Sequence, residues 1–131
     1  MNFFWPAICW SLPLSISMIS PLNFGQSVPS DPPKLISPGR SNSANARFLV
    51  KGDPNTSYTI LLPSSPITLK TGKGQANETI TLTDFSSLPA NTGQLDPSGQ
   101  QMIYVGAVRQ TLGLSQVAGS YVGEYTVTVI Y

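Results

Sequence analysis

The sequence predicts an all-β fold, an antiparallel β-sandwich or barrel of about seven or eight short strands. Three observations lead to this prediction. Apolar and polar residues alternate in several segments, which is the period-two pattern of strands with one buried face. Clusters of proline, glycine and asparagine separate these segments at short intervals, as turns do. No window of eleven residues carries an apolar stripe at helical spacing without proline or glycine in it.

The chain of 131 residues and 14.0 kDa has the size of one ordinary domain. We expect residues 11–131 to form a single β-sandwich domain, with about two-thirds of its surface buried on folding. Residues 1–10, MNFFWPAICW, are apolar and aromatic, and no lysine or arginine precedes Lys34. A secretory signal has a basic region before its apolar core. This segment is therefore interpreted either as a leader remnant or as a disordered tail.

The first expected strand lies within residues 11–24, where serines and prolines separate apolar residues. Pro13 and Pro21 cannot donate ladder hydrogen bonds, so this strand should lie at a sheet edge or be interrupted. Its apolar face carries Leu12, Leu14, Ile16 and Met18.

Turn residues divide the rest of the chain. A loop is expected over 26–46 and another over 86–91, and the sequences GDPN at 52–55 and DPSG at 96–99 are typical of β-turns. The most apolar segment should form a central strand, buried on both sides near its start and bent at Gly106. Strands are predicted at 34–37, 47–51, 58–62, 67–70, 79–83, 101–114 and 121–131.

The last predicted strand mirrors the first in its pattern. Its apolar face carries Tyr125, Val127, Val129 and Tyr131, and Glu124, Thr126 and Thr128 point the other way. Each terminal strand could therefore fill a groove in a sandwich. Two arrangements stay open at this point. Both strands pair within their own chain, or the N-terminal strand leaves to complete a neighbouring subunit.

Composition excludes several classes of function. The formal net charge of +1 gives no electrostatic reason to expect nucleic acid as a partner. The chain has no histidine and one cysteine, which removes histidine-based catalysis and an internal disulfide. The six carboxylates are scattered, and several lie in turn-like sequence. We therefore expect no catalytic residue, no metal ligand, no cofactor and no transmembrane span.

Two segments carry a resemblance to a known family. Residues 48–63 read FLVKGDPNTSYTILLP, and residues 118–131 read AGSYVGEYTVTVIY. Together with PLSISM and LNFG near the start, they resemble the bacterial domain-of-unknown-function family 4402. The C-terminal segment is also similar to spore-coat-U-like domains and chaperone–usher pilins, in which a glycine lies twelve residues before a tyrosine. Gly119 and Tyr131 have this spacing.

The resemblance implies an immunoglobulin-like β-sandwich that is exported from a bacterial cell, with no catalytic residue to carry over. The expected function is that of a secreted, non-catalytic structural or surface protein, such as a fimbrial subunit that acts through strand edges. Its expected location is secreted, periplasmic or cell-surface, and its expected partners are like subunits or a periplasmic chaperone. The alternative is an extracellular module that binds carbohydrate or protein through its loops. The residues expected to serve strand exchange or assembly are Leu12, Leu14, Ile16, Met18, Gly119, Tyr125, Val127, Val129 and Tyr131.

Overall fold

The computed structural model describes residues 14–131, and over that range the chain is all-β. It contains nine strands and one turn of 3₁₀ helix, at Ala76–Glu78. Residues 1–10 and Leu12 lie outside the described residues. The strands are β1 (Ser15–Ser20), β2 (Lys34–Ile36), β3 (Ala46–Lys51), β4 (Ser57–Leu61), β5 (Ile67–Lys70), β6 (Thr79–Leu88), β7 (Thr92–Gln94), β8 (Gln100–Arg109) and β9 (Thr128–Ile130).

Two antiparallel sheets share one core, which confirms the predicted sandwich. The larger sheet has the order β1-β3-β8-β6-β5, and β2 also pairs with β8. The smaller sheet has the order β7-β4-β9. Alternate side chains of both sheets point inward, as the period-two pattern predicts. The buried cluster between the sheets comprises Ala46, Phe48, Val50, Tyr58, Ile60, Leu95, Ile103 and Val105.

Strand β8 is the central strand of the larger sheet, as the sequence predicts. Along one of its sides lie β2 and β3, end to end, with Ile36 opposite Ala107 and Ala46 opposite Val105. The loop of residues 37–45 connects β2 to β3 and does not pair with β8. The fully buried Asn45 closes the loop, because its side-chain amide donates to the carbonyl oxygens of two loop residues. Strand β6 covers the other side of β8.

The predicted turns at 52–55 and 96–99 are confirmed. In the first, the Thr56 N–H donates to the Asp53 carbonyl oxygen at 3.3 Å, and Asn55 has a φ of 61°. In the second, the Asp96 carboxylate accepts hydrogen bonds from the backbone N–H groups of Ser98 and Gln100, both at 2.9 Å. The Ser98 hydroxyl also donates to this carboxylate, and this bond, followed by the backbone bonds, lowers the pKa of Asp96. Both aspartates thus serve as turn residues.

Strand β6 is longer than predicted, and the expected loop at 86–91 begins later. A β-bulge explains the difference: Asp84 and Phe85 together lie opposite Ala107, and Asp84 has a φ of 52°. The extra residue moves Phe85 and Ser87 to the inward face that Leu82 occupies before the bulge. An unbroken period-two pattern could not predict this change of face.

Other strand boundaries also differ from the predictions. Strand β1 is shorter than the segment 11–24, and β8 ends at Arg109 instead of 114. The short strand β7 was not predicted, because TGQ carries no apolar alternation. The largest difference is at the C-terminus, where only Thr128–Ile130 of the predicted 121–131 forms a strand. Strand β4, its partner, ends at Leu61, two residues before Pro63, and so offers no further ladder.

We predict that Gly106→Ala lowers the stability of the fold strongly. Gly106 lies in β8 where β2 ends, and a β-carbon at this position would meet the Ile36 carbonyl oxygen at 1.9 Å. Overpacking of this kind costs about 1–3 kcal/mol or more, so the urea midpoint should fall. Gly39→Ala is the matched control, because a β-carbon there meets nothing within 4 Å. Equal midpoints for the two variants would contradict the close approach of β2 to β8.

Candidate functional site

The candidate functional site is the outer edge of β9 in the smaller sheet, because the edges at β5 and β7 are partly covered. Sheet edges present unpaired N–H and C=O groups that another strand can complete. The edge at β5 is covered where Lys70 and Val122 exchange backbone hydrogen bonds at 2.8 and 3.0 Å. At β7, the Gln94 N–H donates to the side-chain oxygen of Gln101 at 3.1 Å. Val122 and Gln101 are thus edge-covering residues, and no sequence pattern identifies them as such.

The direction of the backbone groups in β9 follows from the pairing of β4. The Ile60 N–H donates to the Asn91 carbonyl oxygen beside β7, so Thr59 and Leu61 direct their backbone groups to β9. Their partners there are Ile130 and Thr128. Because hydrogen-bonded pairs alternate along an antiparallel ladder, Val129 must direct its N–H and C=O away from β4. Among residues 14–131, no strand pairs with that side of β9.

The segment before β9 extends this open edge. Residues 124–130 alternate between exposed and half-buried, and the half-buried ones are Tyr125, Val127 and Val129, which pack against the core. The predicted inward face is therefore present even where no ladder forms. Residues 124–127 make no backbone hydrogen bond to another described residue. This stretch is held by its side chains, and its backbone groups have no backbone partner among residues 14–131.

Strand β1 lies across from this edge, and the space between β1 and β9 is called the opening below. Strand β1 is the edge strand of the larger sheet, as its prolines predicted, and it approaches β9 without pairing with it. Leu14 and Ile16 pack against the core, as expected. Met18 lies opposite Phe48 in the pairing with β3, as Ile16 lies opposite Val50, so it is on the predicted face, but it is 59% exposed and does not reach the core. A register shift in this pairing follows, between Met18 and Ser20.

Large apolar side chains are exposed on both strands that flank the opening. Met18 and Ile19 of β1 are more than half exposed, as is Tyr131, which directly follows β9. Ile130 is 48% exposed. Exposed apolar groups beside an unpaired strand edge are typical of a surface that another chain covers. Of the predicted C-terminal face, Tyr131 alone lies mostly outside the core.

Gly119 lies away from this edge. A β-carbon at Gly119 would meet the Thr71 hydroxyl oxygen at 2.6 Å, which places the glycine beside the turn that follows β5. Gly119 therefore serves the close approach of residues 117–123 to that turn. The twelve-residue spacing to Tyr131 does not bring the two residues to one site.

Tyr125 anchors the unpaired segment to both sheets' shared core. Its ring lies 5.3 Å from the Phe85 ring and 6.5 Å from that of Phe48, in an edge-to-face arrangement with the latter. Its hydroxyl oxygen is buried and has no hydrogen-bond partner among the described residues. Burial raises the pKa of Tyr125 to about 12, because the phenolate would be desolvated.

Tyr58 is the second buried tyrosine, and its hydroxyl is paired. It lies in β4, is 2% exposed, and donates to the Gln101 side-chain oxygen that also receives the Gln94 N–H. Burial raises its pKa to about 12 as well. The two tyrosines therefore differ in one respect that can be measured, which is whether the hydroxyl has a partner.

We predict that Tyr125→Phe and Tyr58→Phe change stability in opposite directions at neutral pH. Tyr125→Phe removes an unpaired buried hydroxyl and should raise the free energy of unfolding by about 1 kcal/mol. Tyr58→Phe removes a hydrogen bond and should lower it by about 1 kcal/mol. Urea denaturation at pH 7 measures both. A loss of stability in Tyr125→Phe would show that its hydroxyl has a partner.

The same two residues predict the alkaline limit of the fold. Their folded-state pKa of about 12 exceeds the ordinary value of 10.0, so below pH 10 neither tyrosine lowers the stability of the fold by ionising. As the pH rises from 10 towards 12, ionisation favours the unfolded chain, where the phenolates are solvated, and the free energy of unfolding falls. Melting temperatures should therefore fall between pH 10 and pH 12, and the melting temperature of each Phe variant should fall less steeply with pH than that of the unmodified chain. If the melting temperatures of all three proteins fell equally with pH, the raised pKa values of the two tyrosines would be contradicted.

Among residues 14–131, no group of three or more Cys, Asp or Glu side chains is arranged to hold a metal ion, and no helix has the length and apolar character to cross a membrane.

Comparison with known proteins identifies the family. No curated protein matches the chain, and no solved structure does. The model of one family, described as "Domain of unknown function (DUF4402)", matches residues 35–131. Because this match covers most of the chain, the protein belongs to the DUF4402 family.

Proposed function

We propose that this protein is an exported, non-catalytic structural or surface subunit, similar in its action to a pilin, and that it binds an added β-strand along β9. The observation that supports this proposal most directly is the outward direction of the Val129 backbone groups, next to residues 124–127, whose backbone groups have no backbone partner in the described part of the chain. An incoming strand would gain ladder hydrogen bonds there, and its apolar side chains would cover the opening between β1 and β9.

The strand that fits best is the N-terminal strand of a like subunit. Residues 11–20, SLPLSISMIS, carry apolar residues at alternate positions, as a strand in this opening requires. In the structure, β1 pairs with β3 of its own chain and has no partner on its other side among the described residues. Ile16 of β1 and Leu14, which directly precedes β1, pack against the core. Their burial contributes about 3–6 kcal/mol before ordering costs, and contacts of the same strand along β9 of a neighbour would have to offset its loss.

The remaining parts of the proposal depend on the sequence. A chain without histidine and with 10% charged residues is unusual for an enzyme that uses acid–base catalysis. Abundant Ser, Thr, Asn, Gly and Pro are typical of turn-rich exported domains. Periplasmic, secreted or surface location and a chaperone partner follow from the resemblance to exported pilin-like proteins. A chaperone strand would occupy the same edge before a like subunit does.

We predict that a synthetic peptide of residues 11–20 binds the full chain at the β9 edge. Fluorescence anisotropy of the labelled peptide should rise and saturate as protein is added. The control peptide carries Leu14→Asp and Ile16→Asp and should not bind, because burying two unpaired carboxylates is strongly unfavourable.

Two protein variants locate the binding. Val129→Pro removes an N–H that points away from β4, so the fold should persist while peptide binding is lost. Val129→Ala is the matched control, since it removes more side-chain volume but keeps the N–H, and it should still bind. If Val129→Pro loses its far-ultraviolet circular dichroism spectrum, Val127→Pro replaces it, because the Val127 N–H also has no backbone partner within residues 14–131. Peptide binding that survives in a folded proline variant, or no binding to the unmodified chain, would contradict the proposal.

A further inference from the structure

A polar groove lies away from the β9 edge, beside the 3₁₀ turn. It is bounded by that turn, by the first residues of β6 and by residues 110–116, and it encloses about 370 Å³. This volume is within the range of about 300–1,000 Å³ that is usual for small-ligand sites. Among the polar side chains that line it are Asn77, Thr81, Gln110, Thr111, Ser115 and Gln116.

One wall of the groove is rigidly fixed by Gln116. Its amide nitrogen donates to the Thr79 carbonyl oxygen at 3.0 Å and to the Tyr121 hydroxyl at 2.9 Å. Its amide oxygen accepts the Gly113 N–H at 3.3 Å. Gln110 is also held, because its side-chain amide donates to the Thr83 hydroxyl oxygen. These contacts preorganise the wall before any ligand arrives.

Other polar groups in the groove are unoccupied by the protein itself. The side chains of Asn77, Thr81, Thr111 and Ser115 make no hydrogen bond to another described residue. They offer one amide and three hydroxyls, each able to donate and to accept. Ile80 and Ala76 add a small apolar area.

The chemistry of the groove selects among ligand classes. No lysine or arginine lines it, so it offers no counter-charge to a phosphate or a carboxylate. An extended peptide would need free backbone groups, but the Gln110 N–H is taken by the Thr81 carbonyl oxygen and the Val117 N–H by that of Asn77. A neutral saccharide matches what remains, because its hydroxyls pair with amides and side-chain hydroxyls and its ring carbons suit a small apolar area.

We propose that this groove binds a neutral saccharide, through the Asn77 amide and the Thr81, Thr111 and Ser115 hydroxyls, with Gln116 as the fixed wall. The site is separate from the strand edge at β9, and its occupation does not depend on strand addition. It gives the domain a second surface, by which an assembled or single subunit would attach to a glycan.

Titration of the full, ¹⁵N-labelled chain with four neutral tetrasaccharides tests the proposal. The probes are maltotetraose, cellotetraose, mannotetraose and N-acetylchitotetraose, and the acidic probe is a hyaluronan tetrasaccharide. We expect saturable amide shifts for at least one neutral probe, centred on residues 76–81 and 110–116, and weaker binding of the acidic probe.

Variants complete the test. Asn77→Ala with Thr111→Ala should weaken binding of that probe about tenfold or more, the effect of losing two hydrogen-bonding groups. Thr59→Ala with Thr126→Ala is the matched control, since both threonines are exposed and neither lines the groove, and it should bind unchanged. The proposal is overturned if no neutral probe gives saturable shifts in the groove, if the double variant binds as well as the unmodified chain, or if the acidic probe binds more tightly.

Discussion

The pairing of β8 on both of its sides is the constraint on which the rest of the structure depends. One side takes β2 and β3, and the other takes β6, so three segments distant in sequence align on one strand. Its inward residues, Ile103 and Val105, are fully buried and supply the floor against which the smaller sheet packs. Gly106 allows β2 to approach this strand closely. The larger sheet therefore contains most of the strands and most of the ladder pairing of the fold.

The smaller sheet has fewer paired strands. It has three strands, and after β8 residues 110–123 cover the turn beside the 3₁₀ element and the β5 edge. When it reaches the core again, at Tyr125, strand β4 has already ended beside it. The side chains of residues 124–130 still find the core, but their backbone groups lack partners over much of this length among the described residues. The separation of side-chain burial from backbone pairing is what makes this edge a candidate site.

Much of the fold could be predicted from the sequence because alternation reports side-chain burial. It identified β1, β3, β4, β5 and β8, and the inward faces of Leu14, Ile16, Tyr125, Val127 and Val129, while the Asp, Pro and Gly residues identified the two turns. Alternation mispredicted the strands where side-chain burial does not follow the backbone ladder. These places are the bulge at Asp84 and Phe85 and residues 124–127, which have no backbone partner among the described residues. The open edge itself could not be predicted, since it depends on where β4 ends in space. The polar groove has no sequence signature, because its residues come from two distant segments with ordinary polar side chains.

Amide hydrogen exchange, followed residue by residue by NMR in the isolated protein, tests the central claim most directly. In the structure, Val129 packs its side chain inward while its N–H faces an edge that no strand of residues 14–131 fills. Thr128 should then be protected by its bond to Leu61, whereas Val127 and Val129 should exchange close to the unprotected rate. Protection of the Val129 amide equal to that of Thr128 would mean that the edge is already filled in the isolated chain, and the account would be wrong.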